Sequence, residues 1–93
     1  MKNSLTGHPI RSPKTAFRII DGEAVVVVPE EGMVNIFNKV ASRIWEILDG
    51  TLSLNDIAAV ISSEFDATYE TAYKDIEEFV EDLSKKGMVI LPG

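Results

Sequence analysis

Hydrophobic and polar residues in the first half of the chain follow the period-two pattern of β-strands. The segment TAFRII alternates along its length and is followed by Asp21 and Gly22, one of the strongest short hairpin signals. The β-branched segment EAVVVV then forms the return strand, which ends at Pro29. A short uncharged segment, Met33–Ile36, follows. This pattern predicts a three-stranded antiparallel meander whose third strand lies at an edge.

After Phe37 the apolar residues change to the 3.6-residue period of amphipathic helices. Three helices are predicted, and Asn38, Ser53 and Thr68 are their N-cap candidates. Asp56 stands at the capping-box position of the second helix. The closing segment MVIL is predicted to be a short strand or an extended tail. Strands followed by helices indicate an α+β fold.

The length of 93 residues suits one domain with a modest core. Residues 1–14 contain Gly, Pro and Ser with little periodicity, and we expect a flexible N-terminal arm there. The folded domain is expected to span residues 15–92. Trp45 lies on the apolar stripe of the first helix and is predicted to be buried in the core. For Tyr73, on the third helix, core and groove positions both remain open.

The net charge of −6 is unevenly distributed. Residues 1–18 contain bases and no acids, whereas residues 66–82 contain seven acids and one base, Lys74. Such a chain is poorly suited to general nucleic-acid binding, which depends on Lys and Arg neutralising phosphates. There is no Cys, no apolar run of transmembrane length and no signal-peptide pattern. We therefore expect a cytoplasmic protein.

Residues suited to catalysis are scarce. The single His, His8, lies in the N-terminal arm, and the chain has no Gly-rich phosphate-binding loop. The acids of the third helix have the spacing of a solvated helix face. The sequence therefore favours a binding module over an enzyme, and we expect neither a metal nor a cofactor.

The segment from FNKVASRIWEILDG through the third helix resembles the PqqD family, the recognition elements for ribosomally synthesised and modified peptides. Phe37 and Asn38 match an apolar–Asn pair, and the residues Ile44–Gly50 match the family's Ile-Trp-x-Leu-Leu-Asp-Gly motif with Ile at one Leu position. Phe79, Leu83 and Gly87 match the pattern of the third helix. The departures include Val40, where the family usually has Thr or Ser.

This resemblance implies a small winged helix-turn-helix-like domain that binds the leader of a precursor peptide. The leader adds as a strand beside the third strand, in a groove walled by the third helix, and is presented to a modifying enzyme. That enzyme is a radical S-adenosylmethionine protein in PQQ biosynthesis, and a cyclase or protease in other pathways. The implied peptide-binding residues are Met33, Val34, Asn35, Ile36, Tyr69, Tyr73, Ile76, Glu77 and Val80.

Two other functions remain open at this point. A winged-helix protein that binds DNA has a similar fold, but its recognition helix should be basic, and the third helix here is acidic. Alternatively, the chain forms a homodimer by pairing the same strand edge with a second copy.

Overall fold

The computed structural model describes residues 7–91. The strands are β1 (Ile10–Arg11), β2 (Ala16–Ile20), β3 (Glu23–Val28), β4 (Met33–Ile36) and β5 (Val89–Ile90). The helices are α1 (Lys39–Glu46), α2 (Leu54–Glu64) and α3 (Tyr69–Lys85), and a 3₁₀ turn at Pro29–Glu31 joins β3 to β4. The predicted α+β fold, with a meander, three helices and a C-terminal strand, is confirmed.

The meander is an antiparallel sheet in the order β2-β3-β4. Its first connection is the predicted hairpin turn, in which Asp21 and Gly22 both have positive φ, 53° and 81°. Two successive residues with positive φ define a type I′ turn, whose twist matches that of the strands. The turn places Phe17 opposite Val26 and sets the register of the hairpin.

The helices begin at the predicted caps. Asn38 Oδ1 and Thr68 Oγ1 accept backbone N–H groups in the first turns of α1 and α3, at 2.8 and 3.2 Å. At α2, Ser53 Oγ accepts from the backbone N–H of Asp56 at 3.2 Å, and Asp56 Oδ2 accepts from the backbone N–H of Ser53 at 3.3 Å. These bonds satisfy N–H groups that have no partner within the helix.

The core lies between the helices and one face of the sheet, with Trp45 at 0% exposure. Its indole meets the rings of Phe17 and Phe37 edge to face, each with a centroid distance of 5.8 Å. The predicted burial of Trp45 is confirmed. The other core residues include Ala24, Val26, Val28, Ile44, Leu48, Leu54, Ile57, Ala58, Ile61, Ala72, Ile76, Val80, Leu83, Met88 and Val89.

Part of the N-terminal arm expected at residues 1–14 packs against the domain. β1 pairs with β5, Pro9 is fully buried, and the backbone N–H of Ser12 donates to Met88 O at 2.9 Å. Residues 1–6 of the expected arm lie outside the described residues. Residues 9–12 therefore make contacts with the domain that was expected to begin at residue 15.

Arg11 makes several of the contacts that attach the N-terminal segment to the rest of the domain. Its Nη1 donates to the backbone oxygens of Trp45 and Glu46, both at 2.8 Å, and so caps the C-terminus of α1. A cation is favoured at this end of a helix because the last carbonyls carry partial negative charge. The guanidinium also lies 4.9 Å from the ring centroid of Phe17, which joins the arm to β2.

Arg43 joins α1 to α2. Its Nε and Nη2 donate to the two carboxylate oxygens of Glu64, at 2.8 and 2.9 Å. Hydrogen bonding to this guanidinium lowers the pKa of Glu64 below its usual value. The pair fixes the relative position of two helices that contribute buried residues to the same core.

Candidate functional site

The outer edge of β4 is open. β4 is the last strand of the β2-β3-β4 sheet, and no strand of residues 7–91 pairs with its far side. It is four residues long and contains neither a charge nor a Pro, the features that usually protect an exposed edge. The edge is therefore available for pairing with a strand from another molecule.

The alternation of hydrogen-bonded and non-hydrogen-bonded residue pairs between β3 and β4 shows which main-chain groups on this edge are free. The backbone N–H of Phe37 donates to Ala24 O at 2.9 Å, which makes this a hydrogen-bonded pair. Because hydrogen-bonded and non-bonded pairs alternate along an antiparallel ladder, Asn35 also turns its N–H and C=O toward β3. Val34 and Ile36 consequently direct their N–H and C=O groups outward, along the open edge.

The side chains of β4 divide between the two faces of the sheet. Met33 and Asn35 are half-buried on the helix side, where Asn35 Nδ2 lies 3.9 Å from Met88 Sδ. Val34 and Ile36 point to the opposite face and are 63% and 69% exposed. The two residues with free main-chain groups are thus also the residues with exposed apolar side chains.

A groove begins where β4 ends. The rings of Phe37 and Phe79 meet edge to face with a centroid distance of 5.3 Å, joining the end of the strand to α3. Beyond this contact, an apolar groove runs between α1 and α3, with the exposed carboxyl group of Asp75 on its wall. Its first part is lined by Asn38, Val40, Ala41, Ile44, Asp75 and Phe79. Its continuation toward α2 shares Val40, Ile44 and Asp75, and adds Ile61, Phe65, Asp66, Ala67, Ala72 and Ile76.

Most of the helix residues implied by the resemblance lie outside this groove. Ile76 and Val80 are both 0% exposed and belong to the core, and Ile76 alone of the two borders the part of the groove toward α2. Tyr73 lies about 120° from Phe79 around the helix axis, and Glu77 lies about 160° from it. Tyr73 instead approaches the exposed Tyr69, with a centroid distance of 6.1 Å.

The nine implied residues therefore separate into three groups. Met33–Ile36 form the open edge, Ile76 and Val80 lie in the core, and the remaining three lie on other parts of α3. Tyr73 and Glu77 face away from the flank that meets Phe37, and Tyr69 is exposed at the N-terminal end of the helix. The groove wall next to the edge is formed by Phe79 and Asp75, which the sequence analysis did not assign to the site. The Phe79 position in the apolar stripe was visible in the sequence, but its direction within the fold was not.

The chemistry of this region is that of a binding surface. His8 is exposed, and residues 7–91 contain no group of three His, Asp or Glu side chains arranged to hold a metal ion. Within the same range, no helix is both long enough and apolar enough to cross a membrane. The open edge offers directional main-chain hydrogen bonds, and the adjoining groove offers apolar contacts beside a negative charge.

Known proteins with similar sequences and folds agree with this architecture. The family model described as "Coenzyme PQQ synthesis protein D (PqqD)" matches residues 23–89. A "PqqA binding protein" of Rhizobium meliloti (strain 1021) is 34% identical over 70 residues, which cover 75% of this chain and 69% of that protein.

Two solved structures share the fold at 24% sequence identity. They are "TbiB1 in Complex with the TbiA(beta) Leader Peptide", with a TM-score of 0.81 over 90% of this chain and 98% of that chain, and "Lasso peptide synthetase B1 complexed with the leader peptide", with a TM-score of 0.80 over 90% and 99%. The family match extends over β3, β4, the three helices and the start of β5. This chain belongs to the PqqD family.

Proposed function

We propose that this chain is a non-catalytic peptide-binding module. It binds the leader of a ribosomally synthesised precursor peptide as a fourth strand on β4 and presents the peptide to a modifying enzyme. The observation that carries the proposal is the open edge of β4, with the N–H and C=O groups of Val34 and Ile36 directed outward. The name of the PqqA-binding relative and the leader peptides in the two solved structures support it.

Main-chain pairing supplies affinity with little dependence on leader sequence, so selectivity must come from side-chain contacts. The leader residue opposite Asn35 points to the helix side of the sheet, because side chains on paired strands share a face. Leader residues beyond the Ile36 end enter the groove beside Phe79 and Asp75. We infer that this groove selects an apolar side chain next to a Lys or Arg that faces Asp75.

The affinity expected for such a complex is micromolar or tighter, because a flexible peptide must be ordered when it binds. The negative charges of α3 increase the association rate of a basic leader more than its final affinity. DNA binding is disfavoured, since exposed acids on α3 face outward where phosphates would lie.

The test is a titration of the chain with the synthetic leader of a candidate precursor peptide from the same source organism, and binding is measured by fluorescence anisotropy. Val34→Pro removes one outward N–H donor and should weaken binding by at least about tenfold, a loss of about 1.4 kcal/mol. Val34→Thr is the matched control, because it keeps both the N–H and the β-branched side chain. The proposal is wrong if the wild-type chain fails to bind, or if both variants bind like wild type.

A further inference from the structure

The face of the sheet opposite the helices is unusually apolar. On β3, Ala24, Val26 and Val28 are buried against the helices, while Val25 and Val27 point to the other face. An antiparallel sheet with one solvated face normally alternates apolar with polar residues. The β3 sequence instead has the pattern of a strand covered on both sides, although no element of residues 7–91 covers its second side.

The strand register arranges this surface, the outer face, in cross-strand rows. One row is Ala16–Val27–Val34, the next is Arg18–Val25–Ile36, and Ile20 pairs with Glu23 at the hairpin end. Ile20, Val34 and Ile36 are all more than half exposed. Arg18 is the only cation of the outer face, and it forms no ion pair within the described part of the chain.

The outer face is continuous with the peptide-binding edge. Val34 and Ile36 direct their main-chain groups to the added strand, so leader residues bonded to them form hydrogen-bonded pairs with them. Paired residues share a face, so those leader side chains project from the outer face. Binding of the leader therefore extends both cross-strand rows by one residue, and the complete surface exists only in the complex.

We propose that the outer face, extended by these leader side chains, is the docking surface for the modifying enzyme. This inference rests on the proposed function and assigns a second interface to it. The partner is a folded protein that presents aliphatic side chains to the two rows and a carboxylate to Arg18. The enzyme thereby recognises the loaded module in preference to the empty one.

The position of Arg18 favours this partner over a second copy of the chain. Val25 is at the centre of the outer face, because it lies on the middle strand and in the middle of the three cross-strand rows. A two-fold axis through Val25 that runs parallel to the strands sets Arg18 against Ile36 of the second copy, and one that runs perpendicular to the strands sets it against Arg18. Both arrangements bury a guanidinium without a counter-charge, which is strongly unfavourable. A different protein with a carboxylate at that point avoids this penalty.

For each variant, the test measures the affinity of the chain for the leader and the affinity of the modifying enzyme for the chain, the latter both with and without leader. The probes are the precursor peptide that the chain binds and a candidate modifying enzyme from the same source organism. Arg18→Glu reverses the charge on the outer face, and Lys74→Glu makes the same change on the exposed surface of α3. Ile20→Ser and Ile90→Ser remove apolar side chains of similar exposure, 51% and 46%, from the outer face and from β5.

Wild-type enzyme binding should be at least about tenfold tighter with leader than without. Arg18→Glu and Ile20→Ser should weaken enzyme binding by about tenfold or more and leave leader affinity within about twofold. Both control variants should leave both affinities within about twofold.

The proposal that the outer face is a docking surface is refuted if the chain binds the leader normally and neither Arg18→Glu nor Ile20→Ser changes its affinity for the enzyme. It is also refuted if sedimentation reveals a leader-independent dimer that Arg18→Glu dissociates, because the outer face then belongs to a second copy. Failure of the wild-type chain to bind the leader refutes the proposed function instead, so the two failures are distinguishable.

Discussion

Ser42 on α1 inserts its hydroxyl between Ala24 on β3 and the end of β4. The backbone N–H of Ala24 donates to Ser42 Oγ at 2.6 Å, and Ser42 Oγ donates to the carbonyl oxygen of Phe37 at 3.2 Å. The hydroxyl thus satisfies both groups where the ladder stops. Ser42 is itself buried, and it ties the edge strand to the helix layer.

Replacing Ser42 with Ala should therefore destabilise the fold by about 1–3 kcal/mol, because a buried N–H loses its acceptor. The amide of Phe37 should also exchange faster with solvent as the end of β4 loosens. Urea denaturation measures the first effect and hydrogen exchange the second. Ser63→Ala, at an exposed position of α2, is the control and should be neutral or slightly stabilising. Equal stability of Ser42→Ala and wild type would contradict the bridging role.

The flank of α3 that contacts the peptide can be identified by comparing two aromatic truncations. Phe79→Ala should weaken leader binding by at least about tenfold, because it removes the groove wall beside Phe37. Tyr73→Ala should leave leader binding nearly unchanged, since Tyr73 lies on the other flank. Both side chains are partly buried against the core, so both truncations should destabilise the fold. The loss of stability in each variant is therefore measured beside its loss of leader affinity. If Tyr73→Ala weakened leader binding more than Phe79→Ala, the result would favour Tyr73 as a peptide-binding residue, as expected from the sequence.

Trp45 should be replaceable by Phe at much lower cost than by Ala. Trp45→Ala leaves a cavity in the core and should cost about 3–5 kcal/mol of unfolding free energy. The indole Nε1 is buried with no hydrogen-bond partner in the described part of the chain. Trp45→Phe therefore removes no hydrogen bond and keeps an aromatic ring against Phe17 and Phe37. Chemical denaturation of the two variants checks the order, and a loss in Trp45→Phe as large as that in Trp45→Ala would contradict it.

The ion pair between Arg43 and Glu64 should make stability depend on pH in the acid range. The hydrogen bond from Arg43 lowers the pKa of Glu64 below 4.5, so the folded state favours the ionised carboxylate. Its contribution is complete above the unfolded-state pKa and is lost as the pH falls through the lowered, folded-state pKa. The urea midpoints of wild type and Glu64→Gln should therefore differ at pH 7 and converge in acid. Glu78→Gln removes the same charge at an exposed site of α3 and is the control for the loss of a surface charge alone. A gap between wild type and Glu64→Gln that stays constant down to the acid limit would exclude the pair as its cause.

Local hydrogen-bond chemistry explains why much of the fold was predictable from the sequence. The caps at Asn38, Ser53 and Thr68 and the turn at Asp21 and Gly22 depend on residues only a few positions apart. Such features are determined by local conformational preferences. The edge position of β4 also followed from its place as the last strand of a meander.

Long-range contacts explain what the sequence analysis missed. β1 and β5 have two residues each, and they pair across almost the whole chain, so neither has a recognisable periodic pattern. Arg11 helps to order the arm by binding carbonyls at the end of α1, which no local motif indicates. The apolar stripe of α3 is wide, and packing against α2 and β5 decides that Phe79 rather than Tyr73 meets Phe37 at the end of the edge strand. Fold and edge could therefore be predicted, whereas the groove residues required the tertiary structure.

Hydrogen exchange at the amides of Val34 and Ile36 tests strand addition most directly. In the free chain these two amides should exchange faster than those of Asn35 and Phe37, which donate to β3. Saturation with the leader should slow Val34 and Ile36 by at least about tenfold, because their N–H groups then donate to the added strand. If the leader binds and both amides still exchange at the free rate, the peptide does not add to β4.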